Sequence, residues 1–227
     1  RYPDGNGFTL KQALSEYHRI EPSSIILGNG SNEIIELLGA AFLDPSVSIV
    51  YSEYAFSVYS LMAQARGAKS ICVPARHFGH DLNAMLEAIE RKTRLVVIAN
   101  PNNPTGTYIE EAKMRAFLDK VPPTTVVLLD EAYHEYLDPD YRYSTIAWVR
   151  DFPNLIVART FSKAYGLAGL RIGYGVAQPA LISLLNRVRQ PFNTNVLAQA
   201  AATAALKDVE FLQRTFEVNR LGMSQIC

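Results

Sequence analysis

The chain of 227 residues is 48% hydrophobic and 19% charged, which supports a full core and excludes a disordered protein. Its 22 basic and 22 acidic residues cancel, leaving no basic field to draw in nucleic acid, and no run approaches the ~18 apolar residues of a membrane span. Two cysteines, Cys72 and Cys227, are too few for a disulfide framework and point to a reducing, cytoplasmic setting, while Arg1-Tyr2-Pro3-Asp4 is not a signal peptide and reads as the start of a fragment or processed chain.

In chain order, apolar strand-like runs occur at 24–27, 47–51, 70–73, 95–99, 125–129, 155–159 and 170–176. Several are apolar on both faces, as strands covered on both sides must be. Between them, 32–43, 56–65, 82–91 and 110–118 carry helical spacing. This alternation predicts an α/β fold with a mostly parallel central sheet and helices on both faces, a three-layer α/β/α arrangement. Ligands in such sheets gather at the carboxyl ends of the strands. After Ala177 the pattern becomes helical at 179–189, 196–206 and 209–221, with Pro179 suited to a first helical turn.

Four constellations follow strand ends. Gly28-Asn29-Gly30-Ser31-Asn32-Glu33 joins a strand to a helix. Taken alone it reads first as an ordinary turn with Ser31 as N-cap, and second as a phosphate-binding helix start. Its third glycine is missing, so it is not a dinucleotide motif. Asn100-Pro101-Asn102-Asn103-Pro104-Thr105-Gly106 is stiffer than a turn needs, and its amides can donate into a pocket. Asp130-Glu131-Ala132-Tyr133 ends an apolar strand, where a carboxylate is costly unless a cation meets it. Thr160-Phe161-Ser162-Lys163, followed by Arg171, offers hydroxyls, an amine and a planar guanidinium, a set suited to one phosphate and one covalent attachment.

Taken together, Asn103-Pro104-Thr105-Gly106, Asp130-Glu131-Ala132-Tyr133, Ser162-Lys163 and Arg171 resemble, in order and spacing, the signature of the fold-type I, class I/II aminotransferases. The resemblance implies a pyridoxal 5'-phosphate enzyme built on the aminotransferase large domain. Lys163 would then attach the cofactor and serve as general base. Asp130 would pair with the pyridinium nitrogen. Asn103 and Tyr133 would bond the ring 3'-oxygen, and Phe56 would stack on the ring where the family often has Tyr. Ser162, Arg171, Thr160 and the backbone at Gly30 and Ser31 would hold the phosphate. Tyr2 would reach a phosphate across a homodimer interface. Tyr54 stands where the family usually has Pro.

Within the family, Tyr2-Pro3-Asp4-Gly5 together with Gly28-Asn29-Gly30-Ser31 looks most like the histidinol-phosphate aminotransferase group. That implies histidinol phosphate and 2-oxoglutarate as small-molecule substrates, in histidine biosynthesis. Threonine-phosphate decarboxylases and aromatic or aspartate aminotransferases share the same chemistry and are the alternatives. A non-catalytic sensor domain is the alternative of another class. The resemblance further implies a cofactor-binding unit over 1–206, with 207–227 starting a helix toward an absent small domain. No metal ligands are assigned. His77 and His80 read as solvated loop residues, His134 as a residue at the site mouth, and Met62, Met85 and Met114 as core filling.

Overall fold

The computed structural model describes residues 2–226. Its seven strands are β1 (Ile25–Gly28), β2 (Ser48–Ser52), β3 (Lys69–Val73), β4 (Thr93–Ala99), β5 (Val126–Asp130), β6 (Leu155–Thr160) and β7 (Gly173–Ala177). They form one sheet in the order β1-β7-β6-β5-β4-β2-β3. β7 is antiparallel to both its neighbours, and all the other pairings are parallel. The predicted α/β fold with a mostly parallel sheet is therefore what the chain adopts.

Alternation along the strands sorts the core into two faces. Leu95, Val97, Val126, Leu128, Ile156 and Ala158 point one way, onto α2 (Ser31–Phe42), α3 (Val58–Arg66) and α7 (Pro179–Val188). Val96, Ile98, Val127, Leu129, Leu155 and Val157 point the other way, onto α1 (Phe8–His18), α4 (Leu82–Glu87), α5 (Glu111–Leu118), α6 (Thr145–Trp148) and α8 (Val196–Ala205). The last helix, α9 (Val209–Ile226), has no buried residue. Met62, Met85 and Met114 are all in the core.

Some boundaries differ from the sequence reading. The helix expected at 56–65 begins at Val58, which leaves Phe56 in the preceding loop. The helix expected to reach 91 ends at Glu87. The last strand starts at Gly173 rather than 170, because Arg171 has φ 60, a left-handed conformation that no strand continues through. α1 was not expected: of its residues only Leu10 and Leu14 are fully buried, a stripe too thin to announce a helix. Cys72 lies on the edge strand β3 and is exposed.

Candidate active site

The same alternation that sorts the core sorts the site. Asp130 continues the Val126–Leu128 side of β5 and so ends that strand facing α3. Thr160 likewise continues the Ile156–Ala158 side of β6. Between these strand ends, α2 and α3 lies a cleft of about 240 Å³. It is lined by Ser31, Phe56, Asn103, Asp130, Tyr133, Thr160, Ser162, Lys163 and Arg171, all singled out from the sequence.

Each residue is held in place by its neighbours. Asp130 is 6% exposed, and its two oxygens accept from the Tyr59 hydroxyl (2.8 Å) and the Ala132 amide (3.2 Å). Burial holds its carboxyl above the usual value, and Glu131 adds to the rise. The two hydrogen bonds and the Lys163 charge pull it back down. Lys163 lies with its Nζ 5.3 Å from the centre of the Tyr133 ring. The side chain of Asn100 and the amide nitrogen of Asn102 are engaged in holding the loop. Asn100 bonds Ile109 and the Tyr143 hydroxyl, while Asn102 donates to the Tyr54 carbonyl (2.7 Å) and Thr105 Oγ1 (2.8 Å). Asn103 is the asparagine left to line the cleft.

The start of α2 leaves backbone donors free. Gly30, not Ser31, is the N-cap; its φ is 80, and no side chain caps the helix. Among the described residues the Ser31 and Asn32 amides have no internal acceptor. Arg171 packs over this end, donating to Ser162 Oγ (3.1 Å) and the Asn29 carbonyl (3.4 Å). A β-carbon on Gly30 would run into the Arg171 guanidinium, and one on Gly173 would run into the Ser31 amide nitrogen. The two glycines thus let backbone, guanidinium and helix end converge.

The structure moves other residues away. Tyr2 does not line the cleft of its own chain; it is 80% exposed and packs against Phe192 at 5.0 Å. His80 is not solvated: its Nε2 accepts from the Ala99 amide at 3.1 Å, so it caps the end of β4. His134 is not at the site mouth. It lies beside Glu131 (3.8 Å), in cavities that Asp130 does not line. There burial, then the Arg159 charge, lowers its pKa to about 3. Glu131 itself is buried in an ion pair with Arg159 (2.8 Å), braced by Thr145 Oγ1 (2.7 Å). This pair ties the end of β5 to β6. The main omission from the sequence reading is Tyr59, which lines the cleft and holds Asp130. Its signal was a tyrosine three residues after Phe56 on an otherwise apolar helix face.

A family model described as aminotransferase class I and II matches residues 1–225. The chain belongs to that family. Among its relatives, a histidinol-phosphate aminotransferase of Cupriavidus pinatubonensis is 61% identical over 226 residues, covering 100% of this chain and 60% of the relative. The chain thus spans about 60% of the length of the curated relatives it matches. Among the solved structures similar to this chain, histidinol-phosphate aminotransferase from Sinorhizobium meliloti in complex with pyridoxal-5'-phosphate superposes with TM-score 0.91 at 34% identity, over 95% of this chain and 59% of that one. L-threonine-O-3-phosphate decarboxylase from Porphyromonas gingivalis follows with TM-score 0.80 at 26% identity, over 91% and 63%. No helix among the described residues is long and apolar enough to cross a membrane.

Proposed function

We propose that this chain supplies the pyridoxal-phosphate core of a histidinol-phosphate aminotransferase, an enzyme moving an amino group between L-histidinol phosphate and 2-oxoglutarate. One observation carries the reading: a buried carboxylate, an amine, and a guanidinium over an uncapped helix start share one cleft. These groups fit the cofactor's ring nitrogen, aldehyde and phosphate. Bound pyridoxal phosphate supplies the aldehyde that takes up an amino group and the ring that absorbs the electron pair released at the substrate α-carbon.

The chain's residues do the rest. Asp130 holds a proton on the ring nitrogen. Ser162, Arg171 and the Ser31 amide grip the phosphate, with Thr160 and Gly30 shaping that end. Asn103 and Tyr133 bond the ring oxygen, and Phe56 covers one face. The Lys163 amine anchors the cofactor and then moves the proton at the α-carbon. Residues 1–206 form the cofactor-binding unit in this reading, and 207–227 begin the helix that leads out of it. Two copies pair in the cytoplasm, with Tyr2 of each reaching the other's phosphate.

Borohydride reduction of the protein mixed with pyridoxal phosphate, followed by peptide mapping, tests the attachment. Label is expected on Lys163 alone; label elsewhere, or none, sinks the cofactor reading. With the full-length enzyme, the nitrogen of histidinol phosphate should appear in glutamate. Carbon dioxide released from threonine phosphate would instead assign the decarboxylase chemistry.

A further inference from the structure

We propose that Tyr59 is the positioning residue for Asp130, its hydroxyl fixing the carboxylate at the cleft floor and keeping it ionised to face a protonated ring nitrogen. This deepens the cofactor reading above and rests on it. Tyr59 is 1% exposed, and its hydroxyl donates to Asp130 Oδ2 at 2.8 Å. A buried hydroxyl without a partner is costly, and phenylalanine would fill the same volume among Ile34, Met62 and Val97 without that cost. Packing therefore does not account for the hydroxyl; its acceptor does.

The geometry serves the site twice. Tyr59 also meets Phe56 edge to face, with centroids 5.8 Å apart and planes at 88°. One side chain of α3 thus backs both the carboxylate and the ring that would cover the cofactor. Burial and the adjacent Asp130 charge push the Tyr59 phenol well up, so it remains a donor. The other groups acting on Asp130 are Glu131 on its own strand end and Lys163 on the loop after β6; Tyr133 acts in turn on Tyr59. Only Tyr59 gives Asp130 a side-chain hydrogen bond among the described residues. Without it, protonation of the buried carboxyl becomes easier, and a protonated carboxyl no longer holds a proton on the ring.

The test is the titration of Asp130 in ligand-free protein labelled with carbon-13 at aspartate Cγ, its signal assigned through Asp130→Asn. Tyr59→Phe should raise the midpoint by about one pH unit, the weight of one hydrogen bond to an ionised group. Tyr136→Phe, removing a tyrosine without that bond, should leave it in place. Should Tyr59→Phe fail to fold, 3-fluorotyrosine at position 59, a stronger donor, should lower the midpoint instead. An unmoved midpoint overturns the proposal even if the wild type binds pyridoxal phosphate. A moved midpoint in a protein that takes up no pyridoxal phosphate keeps the Tyr59–Asp130 coupling and overturns its role toward the cofactor.

Discussion

Asp130 carries a buried carboxylate whose neighbours only partly offset the cost of its burial. Its pKa in the fold lies above the ordinary 3.8. The native state therefore binds that proton more tightly than the unfolded chain does. The stability this gives is present below the unfolded value and is lost as pH rises through the folded one. Asp130→Asn should accordingly stabilise the ligand-free protein at pH 7 by about 1 kcal/mol, a rise of roughly 2–4 °C in thermal midpoint. The gain should vanish toward acid pH. A midpoint that falls at pH 7 would show that the carboxylate is better compensated than its surroundings suggest. In the sequence, Asp130 was legible because a charge ending an apolar strand has few structural uses, and Lys163 because hydroxyls precede it and Arg171 follows in the order of the family signature. Tyr59 was not, because tyrosine on a helix face is ordinary core material until its acceptor is known.

An uncapped helix end, a Gly30 at positive φ and the overlying Arg171 meet at the proposed anion seat. Gly30→Ala would force a β-carbon into the guanidinium and strain a backbone at φ 80. We expect a loss of about 1–2 kcal/mol in stability. Affinity for pyridoxal phosphate, followed by absorbance titration, should fall about tenfold or more for a comparable loss; unchanged affinity would remove Gly30 from the seat. The inner strands of the sheet were readable because β4, β5 and most of β6 are compact apolar runs. The left-handed turn at Arg171 was hidden because a non-glycine residue gives no warning of positive φ. α1 was hidden because most of its surface faces water, leaving little periodicity to read.

Over the whole molecule, several large apolar side chains remain exposed. Tyr2, Phe8, Phe192 and Leu197 are all exposed, and Gln199 on α8 holds the Asp4 carbonyl. Burying such side chains against a second copy would contribute about 1.5–3 kcal/mol for each large apolar group. Sedimentation should report a dimer for the intact enzyme, and Tyr2→Phe should weaken its hold on pyridoxal phosphate; a monomer that binds the cofactor equally well would rule out the shared site. The reversed strand β7 has one more effect. Thr160 and Gly173 sit opposite each other in the antiparallel pairing of β6 and β7, so residues 161–172 form a loop with both ends clamped to one rung of the sheet. The amine that would carry the cofactor and the guanidinium that would hold its phosphate are both on this closed handle. The two grips are thus tied to one rung of the sheet, and the hairpin sets the span between them.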